Sequence, residues 1–147
     1  MTPAVLLATA LAVSAPAVKE KPPAPADPTG TWELQTRTTN GRTTRSDPGE
    51  TFTFTPDGRW LQHSRGQEMI SAVERRIDFD PKPSPATIDL YGKGTNPANR
   101  FRGIFKIEKD TLTMCLRHGD RPTAFESPTG SDATVYVLKR VTEGGRP

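Results

Sequence analysis

Between Gly30 and Val141 the chain alternates apolar and polar residues at period two, and turn-forming residues interrupt the alternation at short intervals. Such alternation sends every second side chain to the same face of an extended strand. No window in this span holds apolar residues at helical spacing without a Pro or Gly breaker, so the expected fold is all-β. Strand-like runs are Gly30–Arg37, Thr51–Thr55, Arg59–Ser64, Ala72–Phe79, Thr87–Tyr91, Arg100–Glu108, Thr111–Arg117 and Ala133–Arg140. Pro56-Asp57-Gly58 predicts a tight turn, because Pro presets φ and Gly accepts positive φ. Lys109-Asp110 predicts a two-residue hairpin turn.

Short consecutive strands favour antiparallel neighbours. Eight of them can close into a small up-and-down barrel, which removes both sheet edges. A two-sheet β-sandwich is the alternative architecture. The expected inward set includes Phe52, Phe54, Ile77, Phe79, Leu90, Phe105, Ile107, Met114 and Leu116.

The flanks read differently. Ala4–Ala15 is uncharged and apolar, too short for the roughly 20 residues of a membrane span, and Ala15-Pro16-Ala17 supplies an A-x-A pattern. Residues 1–17 are therefore expected to be a signal peptide that leads to an extracytoplasmic, periplasmic or secreted protein. Residues 18–29 form a Pro-rich linker, 30–141 the folded domain, and 142–147 a Gly-rich disordered tail. The 147 residues include 20 Lys and Arg against 17 Asp and Glu, interspersed, with a net charge of +3. That pattern is a solvated surface, and no nucleic-acid partner is expected. The single Cys excludes a disulfide framework and a multi-cysteine zinc site.

Gly30-Thr31-Trp32 opens the first strand, and Val137-Leu138-Lys139-Arg140 ends the last. This combination resembles lipocalin-like barrels, in which a Gly-x-Trp motif closes the barrel floor and a basic residue of the last strand packs over the indole. The C-terminal half, through Ile88-Asp89-Leu90, Gly103-Ile104-Phe105, Asp110-Thr111-Leu112, the Cys115 strand and Arg121-Pro122-Thr123-Ala124-Phe125, is similar to a family of lipocalin-like domains of unknown function abundant in planctomycetes. The resemblance covers residues 30–141. It implies a lipocalin-like barrel closed by Gly30, Trp32 and Arg140, a frequent extracytoplasmic placement, and no catalytic residue set.

The chemistry-bearing residues do not form a constellation in the sequence. Cys115 lies mid-strand with no evident base; His118, three residues on, is expected on the opposite side of the pleat or in the turn. His63 and His118 lack zinc-ligand spacing, Asp78 and Asp80 lack the further oxygens of a calcium loop, and Gly92-Lys93-Gly94-Thr95 lacks the ending of a phosphate loop. No metal, no cofactor and no enzymatic activity are expected. Arg75 shares a predicted face with Val73, Ile77 and Phe79, where an inward guanidinium would hold a ligand's carboxylate. Trp60 is a second candidate ligand contact. Phe125 is expected to plug one barrel end, or to form the rim of a binding mouth. The expected function is binding of a small apolar or amphiphilic ligand; the alternative is an envelope protein-interaction module with a solid core.

Overall fold

The computed structural model describes residues 26–64, 75–92 and 100–142. The expected signal peptide, most of the linker, the start of the fourth expected strand, Lys93 to Thr95 and nearly all of the tail lie outside the described residues, as does the side chain of Arg75.

Nine strands follow one another: β1 (Gly30–Thr39), β2 (Arg42–Arg45), β3 (Thr51–Phe54), β4 (Arg59–His63), β5 (Arg75–Asp80), β6 (Ala86–Tyr91), β7 (Arg100–Glu108), β8 (Thr111–His118) and β9 (Thr134–Arg140). All pairings are antiparallel, and β1 pairs with β3 on one edge and β9 on the other. The sheet therefore closes into a lipocalin-like barrel of eight strands rather than splitting into a sandwich. β2 is an additional strand that pairs only with β1. Period-two reasoning passes over it because Arg-Thr-Thr-Arg has no apolar face, and all four residues are exposed. Its signal is the Asn40-Gly41 turn, with φ of 52° and 76°, the backbone of a two-residue hairpin connection.

The barrel has two unlike ends. One carries the start of β1, the end of β9 and the short turns β3–β4 and β7–β8. Trp32, wholly buried, fills this end. Its indole Nε1 donates to the Pro28 carbonyl at 2.8 Å, and the Arg140 guanidinium lies 4.1 Å from the ring centroid. Arg140 Nη1 in turn donates to the Thr29 carbonyl at 3.2 Å. Gly30 sits at φ 117° beneath that guanidinium, where a Cβ would stand 3.1 Å from Nη1. The positive φ favours glycine there, and a side chain would also press on the guanidinium. Ala26 packs on the core and Pro28 is fully buried, so packed structure begins ahead of Gly30, within the segment expected to be linker.

Above Trp32 the interior is filled by Phe52, Phe54, Phe105, Leu112, Met114 and Leu138. Gly103 lets the walls approach: a Cβ there would lie 2.4 Å from Leu116 Cδ2 and 2.7 Å from the Cys115 carbonyl oxygen. Phe79, expected inward, is 37% exposed. The β4–β5 ladder consists of Arg59↔Arg76 and Trp60↔Arg75, so β5 outruns β4 and Phe79 has no β4 residue opposite it. Its ring still meets Phe105 edge-on at 6.4 Å.

Two stability outcomes follow from this packing. Trp32→Ala should cost roughly 3–5 kcal/mol in chemical denaturation, as for other large core truncations. A loss below about 1 kcal/mol would show that the indole is not the floor of the barrel. Gly103→Ala should cost about 1–3 kcal/mol through overpacking, and the same change should cost less in a Leu116→Ala background, where one of the two crowding groups is gone.

Candidate functional site

The other end of the barrel holds the inward residues that a ligand could reach. Trp60 on β4, Leu90 on β6, Phe101 on β7, Leu116 on β8 and Thr134 and Tyr136 on β9 line a cup of about 60 Å³, with Asp132 at its rim. Trp60 is buried at 6% exposure, edge-on to Phe52 at 5.0 Å and tilted against Phe54 at 6.2 Å. Phe101 stacks on the exposed His118, ring centroids 3.8 Å apart. Ligand cavities commonly run to about 300–1,000 Å³. The cup is therefore a shallow depression above a solid core.

A charged group does turn into the barrel at this end, and it is Arg37. Trp32 and Leu34 are buried inward residues, but the β1–β9 register shifts between Leu34 and Thr36. The exposed Gln35 is the extra residue of a β-bulge, which reverses the alternation beyond it. Arg37 consequently stands directly opposite Tyr136, a residue of the inner face, and its guanidinium lies 5.5 Å from the Tyr136 ring centroid. Arg37 Nη2 donates to Glu50 Oε1 at 3.1 Å. Glu50 also accepts from Gln62 Nε2 at 2.9 Å and from Ser46 Oγ at 2.6 Å. Its side chain is 18% exposed and that of Arg37 is 41% exposed. The carboxylate is thus saturated with donors, while the guanidinium keeps a face toward solvent at the mouth. Strict alternation along β1 would have sent Arg37 outward. A bulge residue such as Gln35 leaves no compositional mark, so the sequence reading missed this residue.

Arg75 pairs with Trp60 at the first residue of β5. The structure brings Trp60 to the cup but does not bring Phe125 there. Phe125 is half-buried on the outside of the barrel, against Ile104, Cys115, Ala133 and Val135, and it neither plugs an end nor forms the rim. The outward residues of β7, β8 and β9 are apolar at this level, and the segment from Gly119 to Ala133 folds down over them. Lys106 Nζ lies 5.5 Å from the Phe125 ring.

Arg121 anchors that segment. Its Nη1 donates to the Gly103 carbonyl at 2.6 Å, and the guanidinium pairs with Asp89 at 2.9 Å. Asp89 is 7% exposed although it faces outward, because Arg100 and Arg121 both close on its carboxylate. Farther along, Ser127 Oγ donates to the Ala133 carbonyl at 2.6 Å and accepts from Asn40 N–H at 2.9 Å, tying the segment to the β1–β2 turn. Arg121-Pro122-Thr123-Ala124-Phe125 is therefore an external strap.

Cys115 is wholly buried beneath the strap, its Sγ 3.6 Å from the Glu126 carbonyl oxygen. Burial pushes its thiol pKa up, against smaller opposing effects from that hydrogen bond and from Arg117. A thiol held neutral and covered is a poor nucleophile. Among the described residues no three His, Cys, Asp or Glu side chains come together as a metal site. No helix of the described residues is long and apolar enough to cross a membrane.

No protein-family model, curated protein or solved structure matches the chain.

Arg121→Ala should cost about 1–3 kcal/mol by leaving Asp89 short of a donor. It should also speed the reaction of Cys115 with a thiol reagent at pH 8, because the strap loses its anchor; unchanged labelling would show that the strap is held elsewhere. Because the folded thiol titrates above the unfolded one, stability should be fully present below about pH 8.5 and fall as pH rises past that value. Cys115→Ala should remove that component of the alkaline slope in denaturation measured from pH 7 to 10.

Proposed function

We propose that this chain is a non-catalytic binding barrel of the lipocalin-like kind, exported from the cytoplasm, which holds a small apolar or amphiphilic ligand at its open end. The ligand's apolar tip enters the cup between Trp60, Leu90, Phe101 and Leu116, and its polar part lies against Arg37. The observation that carries this reading is the neighbourhood of Arg37 and Tyr136. A half-exposed inward guanidinium stands beside an aromatic-lined depression at the barrel end without the Trp32 floor. Ligand sites pair an apolar lining with a few polar groups in this way.

The size of the cup limits the ligand. About 60 Å³ admits a small branched or methyl-bearing group, well short of an enclosed lipid chain. The same observation favours a second reading, in which the filled barrel is an envelope interaction module whose open-end loops contact another protein. Export is supported by the apolar Ala4–Ala15 run followed by Ala15-Pro16-Ala17. The family assignment is supported by the closed barrel and by the Gly30, Trp32 and Arg140 arrangement at its floor.

Native mass spectrometry of the protein purified from its own host separates the two readings. A retained small molecule that is lost in Thr134→Phe, which fills the cup's rim, supports ligand binding. A clean mass with a stoichiometric co-purifying protein supports the interaction module. Retention of the small molecule unchanged in Thr134→Phe would place its site elsewhere. Export is tested by the N-terminus of the mature chain, which should be Val18.

A further inference from the structure

The outer face of β6, β7 and β8 carries a charge arrangement that neither the barrel nor the open-end cup explains. Residues directly opposite one another on antiparallel strands share a face and stand about 4.5–5.5 Å apart at Cβ. Across this face Asp89 on β6 is opposite Arg102 on β7, and Arg102 is opposite Arg117 on β8. Two arginines are thus direct cross-strand neighbours, a pairing that destabilises a sheet when nothing lies between them. Arg100, two residues along β7, and Arg121, from the strap, stand on the same face.

The available carboxylates are already engaged. Asp89 holds Arg100 and Arg121, and Asp132 holds Arg117 at 3.0 Å. Arg102 makes no ion pair among the described residues, and it is half-buried rather than extended into solvent. Its neighbours are therefore a carboxylate closed by two other arginines and an arginine turned toward Asp132. On this three-strand patch four guanidiniums meet Asp89 and Asp132, with Asp78 on β5 opposite Asp89 and held by Arg76, and the excess charge is centred on Arg102.

We propose that this face is an oxyanion site, which takes the phosphate or sulfate group of a soluble ligand between Arg102 and Arg117. A tetrahedral dianion accepts several N–H donors at once, so it can bridge two guanidiniums that repel each other when the site is empty. Arg100 and Arg121 are positioning residues: they neutralise Asp89, which would otherwise repel the anion from the same face. The site lies outside the barrel and does not depend on occupancy of the cup.

The test uses inorganic sulfate and phosphate as probes on the full chain, at constant ionic strength made up with chloride. Saturable shifts of the arginine Nε–H resonances, with thermal stabilisation by sulfate and phosphate but not by chloride, are expected. Arg102→Gln should weaken binding by roughly tenfold or more and abolish the anion-dependent stabilisation. It should also raise the melting temperature in low-salt buffer, since it relieves the repulsion from Arg117. Arg42→Gln removes the same charge on the exposed β2, a strand that contributes nothing to the site, and should change binding less than about twofold. Equal effects of Arg42→Gln and Arg102→Gln, or equal responses to sulfate and chloride, would overturn the proposal, because both describe unspecific screening. Vesicles containing phosphatidylglycerol should not retain the protein; retention lost in Arg102→Gln would overturn the soluble source and assign the phosphate to a lipid headgroup.

Discussion

The contact between Trp32 and Arg140 holds the rest of the molecule in place. It joins the second face-inward position of the chain's first strand to the end of its last strand, 4.1 Å from guanidinium to ring centroid. A cation–π contact of this kind contributes about 0.5–2 kcal/mol beyond the burial of the indole. The pairing Trp32↔Arg140 is the first of the β1–β9 register, and that register is what closes the sheet. With β1 and β9 joined, no barrel edge is left open at this seam, and the Pro28 and Thr29 carbonyls find their donors in the same two side chains. The floor thus satisfies its polar groups while excluding water, as a buried end must.

Closure has a consequence for the interior. A barrel of eight strands encloses little space, and here Phe52, Phe54, Phe105 and Met114 occupy it, with Leu116 and Ile88 taking the room that Gly103 leaves. The cup between Trp60, Leu90, Phe101 and Leu116 lies toward the opposite end. The bulge at Gln35 then changes the character of that end, since it turns Arg37 inward to meet Glu50 and Tyr136. On the outside, the strap converts apolar outward residues of three strands into a second small core, with Cys115 at its centre. Arg121 links this outer layer to the barrel wall, and Arg102, which makes no ion pair among the described residues, lies on the same face.

Much of the fold was legible because its strands obey period two. Phe52 and Phe54, or Leu112, Met114 and Leu116, announce a face directly, and the Pro56-Asp57-Gly58 and Lys109-Asp110 turns mark where the chain reverses. β2 was illegible by the same criterion, having no apolar residue, although its Asn40-Gly41 turn was in view. The open-end residues were only partly legible. Trp60 could be named from its aromatic character, but Arg37 could not, because one inserted residue inverts the parity on which the inward reading rests. Phe125 was misplaced for a related reason. Its strap has no periodicity, and only the apolar outer surface of Ile104, Cys115 and Val135 determines where it lands.

The sequence by itself determined an all-β chain of short antiparallel strands, since local alternation and turn chemistry act over a few residues and leave a direct trace. It also placed an indole and a guanidinium at the two ends of the domain. Tertiary structure decided the rest: that the described interior is packed with aromatic and aliphatic side chains, that Arg37 faces inward, that the strap runs down the outside, and that Arg102 is set against Arg117. These depend on register between strands distant in the chain, and a register is fixed by the sum of cross-strand contacts rather than by any one segment.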